Sequence, residues 1–203
     1  MSLPNGVDPT GQLQPTCPSA TFMGNRGILH GDDGVIAKPW QHRAWVTCVL
    51  DFHGRNRNPL MRPHRYSELF FLDEATAFAA GHRPCGECRR ADYVRFKAAW
   101  LTVTGVDWKD VDKRLHAERA TALKQKRTYR AEVRELPSGV MFLVGGGPRL
   151  KWRDAVLRWS PTGYSLANDA IDAATLVDVL TPASVVEVIA SGFAVQVHAS
   201  AEA

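Results

Sequence analysis

The sequence predicts an α+β fold, with a module built around a Cys-x-x-Cys turn packed on a small β-rich half. Three observations lead there. Helix start and stop signals crowd residues 73–122. Apolar–polar alternation takes over between residues 128 and 159. A chain of 203 residues can bury a core without staples, because folding at this size removes roughly 70% of the unfolded surface from water.

The elements follow in order. Residues 1–25 are rich in Pro, Gly, Gln and Ser and read as a flexible tail, with Cys17 a tail residue. A module is expected over 26–105 and a β-rich half with a C-terminal helix over 106–203. Arg26 to Trp40 reads as a hairpin, since Gly27–His30 and Val35–Ala37 flank an Asp-Asp-Gly turn. Residues 43–53 read as a strand with Ala44, Val46, Cys48, Leu50 and Phe52 on its apolar face, which makes Cys48 a core residue. Residues 54–66 have no period and carry Arg55, Arg57, Arg62 and Arg65, a basic loop. After the apolar run Leu69–Leu72, Asp73 is placed to cap a helix through Ala80 that Gly81 ends.

Ala91 to Trp100 is helical in pattern, with Tyr93, Phe96 and Trp100 on one face. Asp107 opens a second helix whose stripe is Trp108, Val111, Leu115 and Ala122. Tyr129, Ala131 and Val133 then alternate against Arg130, Glu132 and Arg134. Turns at Pro137-Ser138-Gly139 and Gly145–Gly147 separate further strands up to Trp159. Thr181 and Pro182 start a last helix that closes at Gly192, and Ala194 to His198 reads as a final strand.

Composition sets bounds on function. Four cysteines at uneven spacing do not make a disulfide framework. No apolar run approaches the ~20 residues of a membrane span, and no secretory signal opens the chain, so a cytoplasmic protein without membrane contact is expected. A net charge of +4 permits a polyanionic partner without requiring one. The triple glycine lacks the Lys-Ser or Lys-Thr of a phosphate loop and lies between strands. No Ser-His-Asp order or His-Glu-x-x-His is present, so no hydrolase signature is read.

Cys85 and Cys88 carry the chemistry. A Cys-x-x-Cys turn brings two thiolates to one side of the chain, half of a tetrahedral metal site. Gly86 suits the turn, Pro84 stiffens the approach, and Arg83, Arg89 and Arg90 favour the thiolate form. A thioredoxin-type redox pair needs a strand-then-helix context that the flanks do not provide.

The flanks add a likeness. Phe70-Phe71-Leu72-Asp73-Glu74-Ala75, followed by Ala79-Ala80-Gly81-His82-Arg83-Pro84-Cys85-Gly86-Glu87-Cys88-Arg89, resembles the Ada metal-binding domain of DNA alkylation-repair proteins. The resemblance covers roughly residues 70–91 and makes the module Ada-like. It implies zinc, with Cys85 and Cys88 as the second ligand pair. The family's first cysteine pair falls near positions 53–58, where this chain has none, so the methyl-accepting thiolate is not matched. Cys48 lies too early for that pair, and His53 and His64 are the nearest residues able to complete the site. His82 stands where the family has Tyr or Phe, which gives it a packing role.

The expected function is a non-catalytic, zinc-stabilised module that contacts nucleic acid through Arg55, Arg57, Arg62, Arg65, Arg89 and Arg90. Interleaved Asp73, Glu74, Glu87 and Asp92 weigh against a strongly basic face. Two rivals are a thiol- or metal-dependent enzyme and a structural or protein-binding domain with a vestigial knuckle.

Overall fold

The computed structural model describes residues 3–15, 17–55, 57–167 and 171–202. The fold is α+β, and the described residues form two six-stranded sheets and four α-helices. The first sheet is built from β1 (Gly6–Val7), β2 (Leu13–Gln14), β3 (Phe22–Asn25), β4 (Val46–Val49), β5 (Leu69–Phe71) and β6 (Arg83–Pro84). Its strand order is β2-β1-β5-β3-β4-β6. Helix α1 (Glu74–Ala79) joins β5 to β6, and α2 (Arg90–Thr104) and α3 (Val111–Arg119) follow.

The second sheet comprises β7 (Tyr129–Glu132), β8 (Met141–Val144), β9 (Gly147–Trp152), β10 (Ala155–Ser160), β11 (Gly163–Leu166) and β12 (Leu176–Val179). Its order is β11-β10-β9-β8-β12-β7, with antiparallel pairing throughout. Helix α4 (Ala183–Ala190) comes after it.

The expected flexible tail is a correction. Residues 6–7, 13–14 and 22–25 form strands of the first sheet, with Val7 and Met23 buried. Low apolar content hid them, because short strands need only one or two buried side chains once neighbours supply the ladder. Cys17 is likewise buried in the main core, its Sγ 3.1 Å from the Pro161 carbonyl oxygen. The Arg26–Trp40 hairpin reduces to a single bridge between His30 and Ile36. No strand forms over residues 194–198; that segment instead caps α1.

Helix α1 is the hub. All six of its residues are buried. Ala75, Phe78 and Ala79 join the main core, whereas Ala77 and Ala80 join a smaller core under the first sheet. A helix buried all round must hold its polar ends internally. Asp73, fully buried, accepts at Oδ1 from the Thr76 N–H at 2.8 Å and at Oδ2 from Tyr164 Oη at 2.8 Å and the His198 N–H at 3.0 Å. Asp73 is thus the predicted cap, and it also ties the helix to β11 and the C-terminal segment.

Glu74 accepts from Arg89 at 2.6 Å and from the Gln196 N–H at 3.0 Å. The predicted α2 stripe holds, with Phe96 and Trp100 fully buried and Tyr93 half-buried. Gly105, left-handed at φ 62°, ends that helix, and Asp107 caps the turn before α3.

Candidate metal centre and arginine loop

Strand register assembles the cysteines. β4 pairs in parallel with β6, Val46 against Arg83 and Thr47 against Pro84. The Cys85 N–H donates to the Thr47 carbonyl at 2.9 Å, so Cys48 stands beside Cys85. The turn from Cys85 brings Cys88 to the same place before α2 begins. The three Sγ atoms all lie within 4.8 Å of one another. All three residues are half-buried, Cys48 the most enclosed at its sulfur.

Reading Cys48 as a core residue is therefore corrected. The strand faces the other way: Trp45 and Thr47 are buried at 3% and 0% exposure, Val46 and Cys48 are half-buried, and Leu50 is 41% exposed. Alternation of small apolar residues suggested one face, but Trp45, the largest side chain in the run, occupies the opposite parity. Thr47 is buried at little cost because its hydroxyl donates to the Arg83 carbonyl at 3.1 Å. The position of Trp45 was the signal that could have turned Cys48 outward.

The thiols share their protons. Hydrogen bonds from Cys48 and Cys88 hold the Cys85 thiol far below its ordinary pKa. Hydrogen bonding to Cys85 and Cys88, with burial, pushes Cys48 far up. Cys88, though lowered by its bond with Cys48, is raised on balance by Cys85 and by burial. One thiolate forms readily, and two more beside it need a cation. The Glu87 N–H points at Cys85 Sγ at 3.4 Å, a further stabiliser of sulfur charge.

The donor set fits a soft divalent ion. Tetrahedral bonds of about 2.3 Å would place sulfurs about 3.8 Å apart, within the span observed. Among the described residues, only these three form such a group. His53 and His64 are not part of that three-sulfur group. Both are exposed, at left-handed φ of 53° and 61°, and the His53 ring packs 4.3 Å from Phe52.

The knuckle is braced on all sides. Arg83 forms a two-point ion pair with Asp112 of α3, at 2.9 and 2.7 Å. A Cβ on Gly86 would meet the Tyr93 ring at 3.4 Å, so the turn packs closely on α2. His82, fully buried, lies between Trp45 at 5.3 Å and Phe71 at 4.6 Å, as its packing role required.

The arginines divide. Arg55, Arg57, Arg62 and Arg65 surround one cavity of about 300 Å³ with Tyr66 and Glu68. Arg55 reaches Glu87 in the knuckle at 2.7 Å, an exposed pair. Arg57 donates to the Leu50 carbonyl at 2.5 Å, and Arg62 to those of Asn58 and Pro59 at 2.6 and 3.1 Å. Arg90 is exposed over the Tyr93 ring. Arg89 is a correction: its side chain is 1% exposed and paired with Glu74 and Asp92. It holds α1 to α2 and has no access to a surface ligand. The interleaved acids that weighed against a basic face are in part Arg89's own partners.

Among the described residues no helix is long and apolar enough to cross a membrane. No protein-family model, curated protein or solved structure matches the chain.

Proposed function

We propose that the protein is a non-catalytic module in which Cys48, Cys85 and Cys88 hold zinc, and that the metal fixes an arginine-rich face for nucleic acid. The observation that carries this reading is the convergence of the three sulfurs at the meeting point of β4, β6 and α2. A metal there clamps strands to a helix, and ligand binding to the folded state alone adds directly to stability. Zinc fits the soft sulfur donors and needs no redox partner. His53, on the loop leaving β4, is the protein group proposed for the fourth position, with His64 the alternative.

The polyanion reading rests on the arginines gathered around the 300 Å³ cavity and on the Arg55–Glu87 contact joining that loop to the knuckle. An exposed, screened ion pair exchanges readily for a phosphate. The candidate contacts are Arg55, Arg57, Arg62, Arg65 and Arg90, in a cytoplasmic setting.

A second reading has one observation in its favour. Three protein ligands with an open fourth position are the pattern of catalytic zinc sites. X-ray absorption of the zinc-loaded protein separates the two. Three sulfurs and one imidazole nitrogen support the closed structural site. Three sulfurs and a light oxygen atom, unchanged in His53→Ala and His64→Ala, favour the enzyme reading.

A further inference from the structure

One cavity lies away from the cysteines. It has a volume of about 620 Å³ and opens between the β1–β2 turn, the 36–40 loop and the segment after α3. Arg26, Lys38, Arg119, Lys124 and Lys126 line it, and among the described residues no Asp or Glu does. Arg26 and Arg119 are 1% and 2% exposed, and among the described residues neither has an ion pair.

The carboxylates that act on these arginines, Asp8 on Arg26 and Asp112 on Arg119, are already engaged, Asp112 by Arg83. Asp8 accepts from the Thr10 and Gln12 N–H groups, the Thr10 hydroxyl and the Gln14 amide, at 2.6–3.1 Å. The arginines are held from behind by neutral acceptors. Arg26 reaches the Gly11 carbonyl at 2.9 Å and His82 at 3.3 Å, and Arg119 reaches the carbonyls of Gly81 and Arg43 at 2.6 and 2.5 Å. Both guanidinium groups also lie over Trp45, at 4.2 and 3.8 Å from its ring centre.

Two donors remain unused. Arg26 Nη2 and Arg119 Nε are buried without a hydrogen-bond partner among the described residues. Buried unpaired charge is costly unless something answers it. A fold needing only packing here would do better with apolar side chains. At the mouth stands Trp40, half-buried, its ring 5.4 Å from Trp45 and 5.4 Å from His116. A ring beside a cationic floor suits a planar group attached to an anion.

We propose that this cavity binds a small phosphorylated ligand bearing a planar ring, with its phosphate answered by Arg26, Arg119 and Lys126 and its ring placed on Trp40. Lys38 and Lys124 supply charge at the rim. The site is separate from the cysteine cluster and independent of whether a metal is held there.

The test uses the full-length protein with inorganic phosphate, adenosine and adenosine monophosphate, read by calorimetry and thermal shift. Saturable binding of the monophosphate is expected, at least tenfold tighter than phosphate, with no binding of adenosine. Lys126→Gln should weaken the monophosphate at least tenfold. Trp40→Ala should reduce it to the affinity of phosphate. If Lys126→Gln fails to fold, Lys38→Gln with Lys124→Gln carries the same expectation from the rim. Equal binding of adenosine and its monophosphate, no anion bound at millimolar concentration, or affinity indifferent to these variants would overturn the proposal. A phosphorylated oligonucleotide that competes where the free monophosphate does not bind would also overturn it, because the ligand would then be a strand end.

Discussion

Thr47 accepts the Cys85 N–H at 2.9 Å, and this parallel bridge sets Cys48 beside the Cys-x-x-Cys turn. Residues 37 positions apart in the chain thereby become neighbours in one cluster. The two-residue strand β6, Arg83–Pro84, is the joint between the sheet and the metal centre. Pro84 has no N–H to lose there, which is why proline is tolerated in so short an edge strand.

Cys48→Ser should weaken metal binding by more than the ~10–100-fold that altering an outer-shell partner costs, because it removes a ligand itself. His53→Ala should cost less than Cys48→Ser if His53 fills the fourth position, and nothing if it does not. A competition titration with a zinc chelator measures both.

Arg89→Ala should destabilise the fold by about 3–5 kcal/mol, since Glu74 would be left buried and uncompensated. Glu74 is also raised in pKa by burial and held down by Arg89, so its loss of that partner favours the neutral acid. Urea denaturation of the variant measures the change. A loss below 1 kcal/mol would mean that Arg89 is not the buried strut described.

Much of this was legible in the residues. Asp73 as a cap, the Phe96–Trp100 stripe, the Gly145–Gly147 turn and the α+β class all follow from local rules that sequence spacing carries. Cys48 was not legible, because its role depends on a parallel pairing across 37 residues and on strand parity set by Trp45. The burial of Arg89 was equally hidden, since Glu74 reaches it only after α1 packs against α2. The strands within residues 1–25 are two to four residues long and gain their place from neighbours, β1 and β3 from β5 and β2 from β1, not from their own pattern. Arg26 and Arg119 looked ordinary until the fold buried both at the cavity.

Stability should rise with pH above neutrality. The Lys126 residue is half-buried, yet its ammonium is enclosed where it donates to the Ala79 carbonyl. Burial, with Arg119 and Arg26 nearby and only Asp8 opposing, lowers its pKa from 10.5 to about 7. Between those values the unfolded chain binds more protons than the folded one, so raising the pH favours folding. Lys126→Met should remove that slope. A bound phosphate would restore the proton, so monophosphate binding near pH 8 should take up protons, measured by calorimetry in buffers of different ionisation enthalpy.

Nucleic-acid binding, where it occurs, should centre on the loop. Each phosphate neutralised lowers log K by about 0.9 per unit of log salt on duplex DNA. Reversing Arg55, Arg57, Arg65 and Arg90 to Glu should abolish binding of DNA and RNA oligomers at low salt without unfolding the protein. Binding indifferent to the four reversals would leave these arginines as a solvated surface.

The most direct test of the central claim is the metal content of protein purified without chelator, by mass spectrometry of native protein and of Cys48→Ser. One zinc per chain, lost in the variant, is the expected result. Metal-free native protein that takes up no zinc when reduced and titrated, or full zinc retained by Cys48→Ser, would contradict it.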